Sequence, residues 1–166
     1  AQVAFDTARP IDRALIDRLQ LHPSVLASTD PALLGDLRRL TWDAWMIEAR
    51  TPRTLKESVD LMRIGKAEIE ANPDGIALRG AVIEALALAG QLSRESLLDP
   101  DSAGRKAGVD KYRPIMATSA GYAWLTTPAN TRRDQLEAGR RYVRFNLAAS
   151  AAGVAVHPVS QALQEF

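Results

Sequence analysis

The residues with the most chemical promise lie near the end of the chain, where His157-Pro158-Val159-Ser160-Gln161 follows the short apolar run Val154-Ala155-Val156. A strand that stops in a proline turn and restarts as a helix gathers several backbone N–H groups at one spot. Such a spot suits a phosphate, a carboxylate or the polar edge of a planar cofactor. The side chains there offer less. His157 is one of two histidines, the other being His22, and no His, Asp or Glu surrounds it at metal-ligand spacing. Ser160 lies on the same turn, but no carboxylate is placed to orient the imidazole, so a Ser–His nucleophile is not built. His157 reads either as a structural group at a strand end or as a ligand contact. No residue is assigned as acid, base, nucleophile or metal ligand.

Other motifs have simpler readings. Arg132, Arg133, Arg140, Arg141 and Arg144 spread around one helix and interleave with Asp134 and Glu137, which describes a solvated face. Trp42 and Trp45 suit core or interface anchors. Thr51-Pro52-Arg53-Thr54 is explained by helix capping. Walker, dinucleotide GxGxxG, zinc and EF-hand motifs are absent.

Stepping from these residues to the elements that carry them, residues 11–20 predict a short helix with Leu15, Ile16 and Leu19 inward, and residues 21–28 an irregular segment. Asp30-Pro31 opens an amphipathic helix to about residue 49, with Leu33, Leu37, Leu40, Ala44 and Ile47 as its apolar face. Thr54-x-x-Glu57 fits a capping box, and Leu55, Val59, Met62 and Ala67 the apolar side of that helix. Asn72-Pro73-Asp74-Gly75 predicts a turn. Residues 80–90 are apolar nearly all round and predict a buried helix, whereas residues 98–110 predict a polar connection or lid. Residues 115–126 form the best strand candidate. Thr131-x-x-Asp134 then caps a long helix whose face is Leu136, Val143 and Leu147 and whose end, before Gly153, is built of small residues.

Composition narrows the function classes. At 166 residues, 46% hydrophobic and 25% charged, the chain reads as a single domain spanning residues 1–166. A net charge of +1 and 5% aromatic residues argue against nucleic-acid partners, which need a concentrated basic surface or stacking platforms. Absence of Cys excludes disulfides and thiolate chemistry. No run is long and apolar enough to span a bilayer, and residues 1–6 are not a signal peptide, so the expectation is a cytoplasmic protein without membrane contact. With no initiator Met and an uncapped helix at its end, the chain is expected to be an incomplete part of a longer one.

Residue order adds a resemblance. Asp134-Gln135-Leu136-Glu137-Ala138-Gly139-Arg140, Arg144-Phe145-Asn146-Leu147-Ala148-Ala149 and the stretch from Gly153 through His157-Pro158-Val159-Ser160-Gln161-Ala162-Leu163-Gln164 resemble the nitroreductase-like flavoproteins, and within them the Acg branch. Thr51-Pro52-Arg53-Thr54, Pro73-Asp74-Gly75-Ile76 and Tyr122-Ala123-Trp124-Leu125-Thr126 are similar to the same branch. The resemblance implies a helix-rich α+β fold with a central, mostly antiparallel sheet flanked by helices. It implies FMN bound at a dimer or internal pseudo-dimer interface, with hydride passing from NAD(P)H through the flavin to a small organic acceptor. It places His157, Pro158, Val159, Ser160 and Gln161 along the flavin, and makes this chain the C-terminal portion of a two-half protein. The arginine-rich segment that helps hold the flavin phosphate in relatives has no counterpart here. Two other functions fit the same residues: an FMN store whose flavin is covered by residues 98–110, and a helical interaction domain that keeps only the ancestry.

Overall fold

The computed structural model describes residues 4–164. In chain order the first elements are α1 (Arg13–Leu19), β1 (Val25–Ser28), α2 (Pro31–Arg50), α3 (Pro52–Asp60), β2 (Met62–Ile64), α4 (Gly65–Ala71) and β3 (Ile76–Leu78). They are followed by α5 (Ala81–Leu88), α6 (Arg94–Leu98), α7 (Ala103–Ala117), β4 (Tyr122–Leu125), α8 (Arg132–Ala151) and α9 (Gln161–Gln164). The content is α+β and helix-rich. Among the described residues the strands fall into two separate pairs instead of one central sheet: β1 with β4, antiparallel, and β2 with β3, parallel. Contacts divide the chain into two compact units, one built from residues up to Trp42 with Pro114–Ala162, the other from Asp43–Arg113.

In the first unit, α1 starts where the Asp12 carboxylate accepts the Leu15 N–H at 2.7 Å. It buries Ile16 and Leu19, the side the sequence predicts. β1 was expected to be irregular. It forms because β4, about a hundred residues later, supplies its partner, with Val25 opposite Leu125 and Ser28 opposite Tyr122. The expected strand over residues 115–126 is correspondingly shorter, since residues up to Ala117 belong to α7.

α8 begins with the capping box read from the sequence: Thr131 Oγ1 accepts the Asp134 N–H at 3.2 Å, and Asp134 accepts the Thr131 N–H at 3.1 Å. Its inward side is not the expected one. Leu136, Val143 and Leu147 are each more than half exposed, while Phe145 and Ala149 are buried with Leu19 and Val25. The helix ends in a Schellman motif. Gly153 takes φ +72°, its N–H donates to the Ser150 carbonyl at 3.0 Å, and the Val154 N–H donates to the Ala149 carbonyl at 2.8 Å. That reversal sends residues 154–160 back across the core. Val154 and Val156 pack inward and Ala155 is exposed, so the alternation of a strand is present. The expected strand is not: no neighbouring strand lies alongside, and residues 154–160 run without regular structure.

The second unit packs Val59, Ile64, Leu92 and Leu97 around the parallel pair. Thr51, not Thr54, holds the N-cap position of α3. Thr54 is buried and its hydroxyl donates to the Glu48 carbonyl at 2.8 Å, so the expected capping box does not form. Met62 leaves the expected helical side to begin β2. The Asn72–Gly75 turn is as read. α5 is helical as expected but buries no residue, with Val82 and Leu88 well exposed. Residues 98–110, expected as a polar connection or lid, are mostly helical: α6, its N-terminus capped by reciprocal Ser93–Ser96 bonds, ends at Leu98, and α7 starts at Ala103. In α2 the buried residues are Leu34, Thr41, Ala44 and Ala49, displaced from the expected Leu33, Leu40 and Ile47, which are exposed. Trp45 stacks on Tyr112 with ring centroids 4.7 Å apart, an anchor as its spacing suggested.

One ion pair ties three elements of this unit. Arg94 grips both oxygens of Glu68, at 3.0 and 2.7 Å, and also donates to the Met62 carbonyl, while Glu68 accepts the Ile64 N–H at 2.9 Å. The Glu68 carboxyl is drawn from 4.5 to about 2, first by the Arg94 bonds and then by the Ile64 N–H. A carboxyl held low stabilises the fold above its ordinary range, and that contribution is lost as the pH falls through about 2. The two side chains are 39% and 40% exposed, so screening keeps the contribution modest. Glu68→Gln is expected to flatten the loss of stability between pH 4.5 and about 2, measured by urea unfolding at each pH. An unchanged slope would assign that loss to other carboxyls.

Candidate functional site

The Schellman turn at Gly153 fixes where the chemically interesting segment goes. Leaving α8, the chain passes the buried pair Phe145 and Ala149 and lays His157, Pro158 and Val159 along a cavity of about 390 Å³ within the first unit. Ser160 and Gln161, expected in the same role, are not part of that wall. α9 is a single turn, so its dipole adds little at that end. The N–H groups of Ala155, Val156, His157, Val159 and Ser160 belong to no helix or strand ladder, which leaves backbone donors of the kind the sequence pointed to, Pro158 carrying none.

The remaining walls are mostly aromatic and apolar, with Asp6, Arg9, Thr41 and Ser119 among them. Tyr142 and Phe145 contribute from α8, and Tyr122 from β4. Tyr122 is held from behind: the buried Thr41 hydroxyl donates to the Leu37 carbonyl at 2.8 Å, so the Tyr122 hydroxyl donates to Thr41, 3.0 Å away. Arg38 donates twice to the Ser119 carbonyl and fixes the chain just before Gly121. Gly121 packs closely on the start of the loop after β1: a Cβ there would stand 3.3 Å from the Thr29 methyl and 3.4 Å from the Ser28 carbonyl. The cavity volume lies in the range of about 300–1,000 Å³ that small-molecule sites occupy.

Electrostatically the cavity is nearly neutral. Half-burial lowers the His157 pKa, because desolvation penalises the imidazolium, so the ring is uncharged near neutrality. Arg9 is the only Arg or Lys in the described wall, and Asp6 the only carboxylate, its Oδ1 accepting the Ala8 N–H at 2.9 Å. The lining is largely apolar, with few charged side chains. Among the described residues no group of three His, Cys, Asp or Glu side chains gathers to hold a metal ion.

No family model matches the chain, and no curated protein or solved structure matches it. The cavity's chemistry therefore rests on its own walls. Of the sequence-derived residues, the structure brings His157, Pro158 and Val159 together. Tyr142, Phe145 and Arg9 are wall residues that sequence reasoning did not assign. Tyr142, Phe145 and Ala149 recur at helical spacing in α8, and that second apolar register was the available signal. Among the described residues, no helix is long and apolar enough to cross a membrane.

Proposed function

We propose that the chain is the flavin-binding part of an FMN-dependent oxidoreductase of nitroreductase type, passing hydride from NAD(P)H to a small organic acceptor such as a nitro compound or a quinone. The observation that carries this reading is the cavity: a largely apolar space of about 390 Å³ lined by Tyr122, Tyr142, Phe145 and residues 157–159. These walls fit a planar ring system. Tyr142 and Phe145 would supply aromatic contacts to such a ring, and N–H groups after Gly153 would supply hydrogen-bond donors to its polar atoms. Bound FMN would supply the hydride chemistry, which removes the need for a protein acid or base. The chain's own residues then bind, orient and exclude water, with neutral His157 adding no charge. Arg9, in the cavity wall, is the cation available to an anionic part of the ligand.

The exposed apolar residues of α8, Leu136, Val143 and Leu147, support the accompanying reading of a nitroreductase-like dimer or pseudo-dimer, in which a second half covers that helix. The storage reading rests on residues 98–110 as a cover, and those residues are mostly helical, forming the end of α6 and the first part of α7. The test is the visible absorption spectrum of the purified protein, before and after incubation with FMN. A flavin spectrum, with FMN released on denaturation, is expected. A protein that stays colourless overturns the proposal and leaves an interaction domain as the better account.

A further inference from the structure

One cluster outside the cavity unites a hydroxyl, an imidazole and a guanidinium. His22-Pro23-Ser24 forms the turn into β1, closed by the Val25 N–H donating to the His22 carbonyl at 2.8 Å. The Thr126 N–H donates to the Ser24 carbonyl at 3.0 Å and pins the turn to the end of β4. Within it the Ser24 N–H donates to His22 Nδ1 at 3.1 Å, which makes that nitrogen an acceptor and places the ring proton on Nε2. Ser24 Oγ lies 2.8 Å from Nδ1 and 2.8 Å from Arg141 Nη1. A guanidinium only donates, so the hydroxyl accepts from Arg141 and its own proton points at His22. His22 is exposed, Ser24 and Arg141 are half-buried, and none of the three lines the cavity.

We propose that Ser24 is an activated nucleophile that takes the acyl group of small activated esters, with His22 as its base and Arg141 as the cation beside the developing alkoxide. Ser24 Oγ bonds to the ester carbonyl carbon as its proton passes to Nδ1. The tetrahedral intermediate then breaks the original ester C–O bond, and the leaving oxygen takes the proton back from Nδ1. The product is acyl-Ser24 plus the released alcohol or phenol. Arg141 favours the anionic oxygen by direct hydrogen bonding, and the exposed imidazole lets a small electrophile approach. The cluster lies outside the cavity wall and His22 is exposed, so leaving-group reactivity, more than the shape of the acyl group, decides what reacts.

The experiment treats the protein with 4-nitrophenyl acetate and maps acetylated serines by peptide mass spectrometry over time. Ser24 is expected to acetylate about 100-fold faster than the exposed Ser150 and Ser160, the lower end of what a positioned base contributes. His22→Ala is expected to bring Ser24 down to their rate, with added imidazole restoring it, and Arg141→Gln to slow it while Arg141→Lys retains part. Equal rates at Ser24, Ser150 and Ser160 overturn the proposal. So does a loss in His22→Ala that imidazole does not rescue, because His22 then only shapes the turn. Flavin plays no part in the readout, so this inference and the FMN reading fail independently.

Discussion

Gly75→Ala is expected to destabilise the second unit by about 3 kcal/mol or more, among the larger effects available to a single surface-turn substitution. Gly75 ends the Asn72-Pro73-Asp74-Gly75 turn at φ +68°, a left-handed conformation that costs other L-residues roughly 1–2 kcal/mol. Space is the larger problem. A Cβ at this position would stand 2.2 Å from the Leu61 carbonyl oxygen, which is backbone and cannot rotate away. That same carbonyl accepts the Ile76 N–H at 2.8 Å, next to the register in which β3 pairs with β2. Relief of the clash breaks this bond and moves Asp74, whose carboxylate lies 2.8 Å from Arg63. Gly90→Ala is the control: Gly90 has φ +70° but nothing within 4 Å, so it carries the conformational penalty alone. Urea unfolding of both variants separates the two causes. Equal losses would show that the Leu61 contact contributes nothing.

The same turn illustrates what the sequence made legible. Asn-Pro-Asp-Gly, Asp-Pro and Thr-x-x-Asp act within a few residues of themselves, and the turn after α4, the start of α2 and the cap of α8 lie where these signals put them. Strands depend on partners far along the chain. Residues 25–28 carry no local strand signal of their own and become β1 because β4 is brought beside them. Residues 154–156 have the alternation of a strand and remain outside any sheet, because no neighbouring edge receives them. Helix existence was legible, but the buried side was not. α8 carries two apolar registers, and the one through Tyr142, Phe145 and Ala149 faces the core, leaving Leu136, Val143 and Leu147 outside. A helix with two apolar sides does not declare which will be covered by its own chain. The candidate site divides along the same line. The turn at residues 157–159 was visible from local order, whereas the aromatic walls opposite it needed tertiary structure to assemble.

Filling the cavity tests its role directly, and Ala123→Trp is the substitution that does so with least harm to the fold. Ala123 sits in β4 opposite Ala27, both line the cavity, and Ala123 is exposed, so the strand accepts a larger side chain without disturbing the buried core. The indole would occupy space that a planar ligand needs, and the cavity of about 390 Å³ does not hold both comfortably. FMN affinity is expected to fall about 100-fold, read by flavin fluorescence titration, with thermal stability nearly unchanged. Leu26→Trp is the matched comparison: it lies one residue out of register on the same strand pair, so its side chain leaves the opposite face of the sheet and is not part of the cavity wall. Its FMN affinity should equal that of the parent protein. If Ala123→Trp binds FMN as tightly as the parent, the flavin sits elsewhere and the wall of Tyr122, Tyr142, Phe145 and His157 serves another ligand. If both variants lose FMN equally, the loss reports the sheet's integrity and not the cavity. Only the asymmetric outcome ties the flavin to the space beneath residues 157–159.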